Sequence, residues 1–189
     1  MPKVVKRMGD INIHQNPPVM IRQKALYLLG SKDTPLLEVG CGNGEFAEML
    51  HAKYPETEYS GIDIQMSKIE KDRTRVPEWR NDFHCMDILE HSEYLRPAST
   101  VVCFQTLEHL GTEAGDEDVQ LLKRMTSGTK IIFSVPNFKS RDHKRWFSML
   151  GWFQRYSNIL WFDRIHVYRM KKNWKPIEKG SFLFRGVRK

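Results

Sequence analysis

Two groups of residues carry side chains suited to chemistry. The first is Glu38-Val39-Gly40-Cys41-Gly42-Asn43-Gly44, which follows a short apolar run and precedes residues at helical spacing. Glycine at every second position lets a backbone turn sharply and present bare amides to a ligand, and the positive end of the following helix favours an anionic one. A dinucleotide fingerprint would need its third glycine at position 45. Glu45 stands there instead, which argues against a nicotinamide cofactor. Asp63 closes the next apolar run, followed by Ile64, and an acid in that place can accept both hydroxyls of a ribose laid across strand ends. Asp63 could equally cap the turn that follows. Asp87 and Ile88 stand after a third run, placed either to contact an adenine and pack its ring or to start a helix.

The second group is Gln105-x-x-Glu108-His109, after a fourth apolar run, with His143 further along in Asp142-His143-Lys144. Glu108, His109 and His143 are proton acceptors, and Gln105 offers an amide to orient a bound molecule. His143, in a basic loop, reads by default as a surface residue.

The elements that must position these groups alternate. Pro17-Pro18 opens a helix marked by Ile21, Ala25, Leu28 and Leu29 and stopped at Gly30. Pro35 to Val39 reads as a strand, the glycines as a turn, and Phe46, Ala47, Met49 and Leu50 as the next helix. Tyr59–Ile64, Phe83–Met86, Thr100–Phe104 and Lys130–Val135 read as further strands, and Val119–Met125 as a helix. Continuous apolar strands alternating with helices imply a parallel sheet covered on both faces. Ile165–Met170 and Ser181–Val187, joined through residues 171–180, read as a terminal hairpin.

A chain of 189 residues supports one domain. It contains no apolar run of membrane-spanning length and no secretory signal at its start, and Cys41, Cys85 and Cys103 are odd in number and set in apolar runs. These features lead us to expect a single-domain cytoplasmic monomer with reduced cysteines. Residues 1–17 read as a basic, polar arm. The net charge of +7 would steer the protein towards polyanions such as nucleic acid or anionic lipid.

Residues 138–162 mix Arg141, His143, Lys144, Arg145 and Arg155 with Trp146, Phe147, Trp152, Phe153, Tyr156, Trp161 and Phe162. Trp146, Met149, Leu150 and Phe153 fall at helical spacing, which predicts a helix packing that face on the sheet. The remaining rings and cations suit stacking on bases and neutralising phosphates, or settling on a lipid surface.

Residues 36–137 resemble the class I S-adenosylmethionine-dependent methyltransferases. The matching pieces are Leu37 to Gly44, Gly61-Ile62-Asp63, Cys103 to Leu110 and Phe133-Ser134-Val135-Pro136-Asn137, in the family's order. The resemblance implies an α/β fold of Rossmann-like type, a three-layer sandwich whose mostly parallel seven-stranded sheet carries one antiparallel strand in the C-terminal hairpin. It implies S-adenosylmethionine as cofactor, with Glu38, Gly40, Cys41, Gly42 and Gly44 holding its methionine part, Asp63 the ribose, and Asp87 and Ile88 the adenine, and with Ile64 also among the cofactor-binding residues. Gln105 would border both cofactor and acceptor.

Around Gln105–His109 and Pro136-Asn137-Phe138 the chain is also similar to small-RNA 2′-O-methyltransferases, which carry a Glu-x-x-Glu-His metal site and a downstream histidine. Gln105 stands in place of the first carboxylate. Losing that charge weakens a hard-cation site, so no divalent metal is expected. The expected function is methyl transfer to an oxygen or nitrogen of an anionic acceptor, with RNA or DNA favoured over a small metabolite or a lipid-linked molecule. Gln105, Glu108, His109 and His143 are the candidate catalytic residues. The contrasting reading is a cofactor-binding module without catalysis.

Overall fold

The computed structural model describes residues 12–14, 17–170 and 180–189. The strands are β1 (Asn12–His14), β2 (Leu36–Val39), β3 (Tyr59–Asp63), β4 (Phe83–Cys85), β5 (Thr100–Phe104), β6 (Lys130–Pro136), β7 (Leu160–Met170) and β8 (Gly180–Arg188). The helices are α1 (Pro17–Leu28), α2 (Glu45–Lys53), α3 (Met66–Arg75), α4 (Glu117–Lys123) and α5 (Met149–Tyr156). All strands join one sheet in the order β1-β7-β8-β6-β5-β2-β3-β4.

Strands β2 to β6 pair in parallel, and β8 runs antiparallel to both β6 and β7. This is the Rossmann-like seven-stranded sheet with one antiparallel strand, as expected. An eighth strand extends its edge, because Asn12–His14 pair in parallel with Tyr168–Met170 rather than remaining part of a polar arm. Residues 1–11 of that arm, and the 171–179 link of the hairpin, lie outside the described residues.

The apolar runs divide their side chains between two cores by simple alternation, since successive residues of a strand face opposite sides. Leu37, Val101, Ile131, Phe133 and Phe184 pack on one face with Leu121, Leu122, Trp152 and Tyr156. Leu36, Val102, Ile132 and Leu183 pack on the other with Ile21, Ala25, Phe46 and Ile69. With both faces covered, the strands are mostly apolar, and buried polar residues such as Glu38 and Ser134 are hydrogen-bonded within the protein. Chemistry is left to the strand ends. Connections from β2 run towards β3 on one side, while β5 lies on its other side. The cleft opens at this reversal of strand order, the usual ligand position in such sheets.

Two expectations about residues 138–162 are corrected. In α5 it is Trp152 and Tyr156 that are fully buried, whereas Leu150 and Phe153 of the expected inner face are 60% and 36% exposed. The polar tips set the phase. The Trp152 indole donates to the Pro136 carbonyl at 2.8 Å and the Tyr156 hydroxyl to Asp118 at 2.6 Å, which allows both rings to be buried without loss of hydrogen bonds. Trp146 precedes the helix, which starts where the Ser148 hydroxyl accepts from the Gly151 amide at 3.1 Å. Trp161 and Phe162, at the end of the segment, belong to β7 and not to the helix.

Candidate functional site

The glycine turn leaves β2 with three left-handed residues in alternation, Gly40, Gly42 and Gly44, at φ of 74°, 68° and 70°. Such angles favour glycine strongly. At Gly40 a side chain would also overlap Thr106, so the turn and the end of β5 touch closely. At Gly42 nothing lies within 4 Å of where a Cβ would stand, leaving bare backbone towards the cleft. The amides of Gly40 and Cys41 both donate to the Ile62 carbonyl, at 2.7 and 3.0 Å, and hold the turn against the end of β3.

Asp63, 7% exposed, ends β3. Its carboxylate accepts from the Gly42 amide at 3.1 Å and the Gln65 amide at 2.9 Å, and Lys68 stands 3.7 Å away. These donors hold the group aimed, with lone pairs left for a diol. Asp63 therefore both caps the turn and faces the cleft.

The cleft has a volume of about 780 Å³, in the range of small-molecule sites. Its wall includes Gly40, Gly42, Asp63, Ile64, Asp87, Ile88, Gln105 and His109, so most of the residues expected from the sequence meet there. Asp87 accepts from the Leu89 amide at 2.9 Å, and Ile88 is buried while Ile64 is exposed. Glu38 and Cys41 do not line the cleft. The Tyr59 hydroxyl donates to Glu38 at 2.7 Å, and the Cys41 thiol donates to Asp72 at 3.0 Å. Burial pushes the Glu38 carboxyl up to about 8 and Asp72 up to about 6, and it also pushes the Cys41 thiol up. Gly44 backs onto Asp72, where a Cβ would stand 2.9 Å from its carboxylate. These three residues support the turn from behind.

Just after β5, and also lining the cleft, Gln105 holds a left-handed backbone, φ 51°, uncommon for a side chain of its size. Its amide donates to the Ser134 carbonyl at 3.0 Å, and its side-chain NH₂ donates to the Ser134 hydroxyl at 3.2 Å. Residues Leu107–His109 form a single 3₁₀ turn that points Glu108 inward and His109 outward. Glu108 therefore does not line the cleft as expected. It is fully buried, neither carboxyl oxygen has a hydrogen-bond partner among the described residues, and burial pushes its pKa up to about 8.

His143, expected on the surface, is half-buried against His109, with ring centroids 5.1 Å apart. Desolvation lowers its pKa. Both imidazoles place Nδ1 against a backbone carbonyl, His109 on Asp142 at 2.9 Å and His143 on Phe138 at 3.1 Å. Donation from Nδ1–H leaves Nε2 with a free lone pair in the neutral rings. One carboxylate oxygen and one nitrogen of each ring lie within 4.8 Å of one another. Such a group can pass a proton or hold a transition-metal ion.

Sequence reading missed Pro18 and Arg22 of α1, Lys68 of α3, Thr106 and Asp142, all in the cleft wall. Arg22 and Asp142 come from elements distant in the chain, and no local pattern marks them. Thr106 is implied only by the crowding at Gly40.

The methyltransferase domain family matches residues 37–130. A curated relative, the malonyl-[acyl-carrier protein] O-methyltransferase of Anoxybacillus flavithermus, is 29% identical over 100 residues, 53% of this chain and 38% of that protein. The chain thus matches well under half the length of that relative. Among solved structures, the N-methyltransferase NodS from Bradyrhizobium japonicum WM9, in complex with S-adenosyl-L-homocysteine, aligns with a TM-score of 0.70 at 17% identity. The alignment covers 92% of this chain and 89% of that one. The small RNA methyltransferase HEN1 aligns with a TM-score of 0.71 at 17% identity, over 98% of this chain and 27% of that one. At these identities the two structures share the fold.

Proposed function

The chain belongs to the class I S-adenosylmethionine-dependent methyltransferases, and on that premise we propose that it transfers a methyl group to an oxygen or nitrogen of a small anionic acceptor, free or carrier-linked. The observation that carries this reading is that one cleft gathers both groups. Asp63 at the end of β3 and Gln105 after β5 flank β2 and its glycine turn, and together with His109 they line it.

The residues fit the cofactor. Gly42 leaves bare backbone at the cleft, and Asp63 keeps a buried carboxylate oriented by two amides. When bound, S-adenosylmethionine supplies a methyl group on a sulfonium, and its transfer is an in-line displacement. The chain's part is to align and to manage a proton. Gln105, fixed by Ser134, borders the meeting point and can hydrogen-bond the acceptor. His109, exposed in the cleft with Nε2 free, accepts the acceptor's proton as general base. Glu108 and His143 stand behind it and fix its environment.

The expected RNA or DNA acceptor loses its support in the structure. Arg145 and Arg155 are held by Asp118, at 2.7 and 2.6 Å, and are not available to phosphates. Trp152 and Tyr156 are buried, which removes two of the rings that would stack on bases. Arg141 and Lys144 remain exposed on either side of Asp142 and His143, near the cleft rim, and suit a small anion. The curated relative is named for a carrier-linked acceptor, in keeping with this reading. No helix among the described residues is long and apolar enough to cross a membrane.

The test is incubation with methyl-labelled S-adenosylmethionine and separated cellular fractions. Label is expected in small-molecule or acyl-carrier fractions. Label confined to RNA or DNA would overturn the acceptor, and none in any fraction despite cofactor binding would leave a binding module. Glu108, His109 and His143 are also metal-ligand types, so chelation decides between their roles. Activity unchanged by EDTA is the expected result, and loss restored by a divalent ion would reassign the group.

A further inference from the structure

A buried ion-pair cluster lies beside the acceptor wall without touching the cleft. Arg145 is 3% exposed, and its guanidinium meets Asp118 at 2.7 Å, the Thr112 carbonyl at 2.8 Å and the Leu107 carbonyl at 3.4 Å. Asp118, fully buried in α4, also accepts two hydrogen bonds from Arg155, at 2.8 and 2.6 Å, and one from Tyr156 at 2.6 Å. Burial alone would raise the Asp118 pKa. The Arg155 and Tyr156 hydrogen bonds, with the Arg155 and Arg145 charges, outweigh it and hold the group below its ordinary value.

The cluster connects to the histidines through the backbone. Next to His143, the amides of Lys144 and Arg145 donate to the Glu108 carbonyl at 2.8 and 3.3 Å. One residue earlier, the Asp142 carbonyl accepts from His109 Nδ1 at 2.9 Å. Residues 142–145 are thus stitched along residues 107–109, and the Arg145 side chain anchors the far end of the seam to Leu107, Thr112 and Asp118. A planar fork with fixed donor directions suits this task better than a flexible ammonium.

We propose that Arg145 is a positioning residue: held by Asp118, it keeps residues 142–145 in register so that His143 packs against His109 and His109 presents Nε2 to the acceptor. The inference rests on the proposed role of His109, yet it concerns geometry that exists without an acceptor. Cofactor binding, on the other wall, is independent of it.

The experiment uses the full chain saturated with S-adenosylhomocysteine, in wild type, Arg145→Met and Arg145→Lys. Long-range ¹H–¹⁵N spectra of the histidine rings report which nitrogen carries the proton, and calorimetry reports S-adenosylhomocysteine affinity. Wild type is expected to show His109 and His143 as single Nδ1–H forms. Arg145→Met should show mixed tautomers for both rings while affinity changes by less than about twofold. Arg145→Lys, which keeps the charge and most of the stem, covers the case in which the methionine variant fails to fold, and should show the same mixing. Single Nδ1–H forms retained in a folded variant would overturn the proposal, and so would a parallel loss of cofactor affinity. A wild type that holds these forms but transfers no methyl group to any fraction would instead count against the proposed function alone.

Discussion

The two walls of the cleft are built on different physical plans. The cofactor wall is held by backbone amides at the ends of two adjacent strands: Gly40 donates to the Ile62 carbonyl, and Gly42 and Gln65 donate to the Asp63 carboxylate. The acceptor wall is held by side chains that reach across loops. His109 depends on a carbonyl 33 residues away, and the Asp118 partners Arg155 and Tyr156 lie 37 and 38 residues further along the chain. A common cofactor needs one geometry, whereas acceptors differ, and a loop pinned by side chains can vary without disturbing the glycine turn. The two walls should accordingly fail separately.

The widest separation is expected from His109→Ala. Losing a positioned base typically lowers turnover by about 10²–10⁴-fold, and S-adenosylhomocysteine affinity should stay unchanged. Steady-state rates beside calorimetric titration check this, and an equal loss in both would merge the two walls into one. Asp118→Ala comes next. It leaves two guanidinium groups without their buried partner and should destabilise the fold by about 3–5 kcal/mol, read by denaturant unfolding. A loss under about 1 kcal/mol would mean the cluster is as weak as a surface pair.

Asp63→Ala tests the other wall. Removing the oriented carboxylate should weaken S-adenosylmethionine binding about tenfold or more, corresponding to one or two charge-assisted hydrogen bonds, with the fold intact. Undiminished affinity would remove the ribose assignment.

The smallest effect concerns Glu38 behind the turn. Its pKa is raised in the fold, from 4.5 to about 8. A carboxyl shifted in this direction contributes stability that is fully present below pH ~4.5 and is lost as pH rises through about 8. Glu38→Gln, which can still accept from Tyr59, should flatten the fall in melting temperature between these limits. An unchanged pH profile would show that Glu38 is ionised in the folded protein.

The same division explains what could be read from the sequence. Gly40, Gly42, Gly44 and Asp63 announce themselves because the backbone angles and the strand-end acid are local requirements. The seven-stranded sheet follows from apolar runs that alternate between two cores. The phase of α5 is not legible from helical spacing, because Trp152 and Tyr156 are placed by Pro136 and Asp118, partners that spacing does not reveal. Glu38 and Cys41 sit within the motif but face Tyr59 and Asp72, and no residue spacing states which side of a turn a side chain takes. Arg145 looked like a free cation because Asp118, its partner, is 27 residues earlier.

A crystal structure with S-adenosylhomocysteine bound decides whether the Asp63 side and the His109 side serve one cleft. The ribose hydroxyls are expected on Asp63 and the sulfur turned towards Gln105 and His109. A ligand whose ribose lies away from Asp63, or whose sulfur points away from His109, would contradict it.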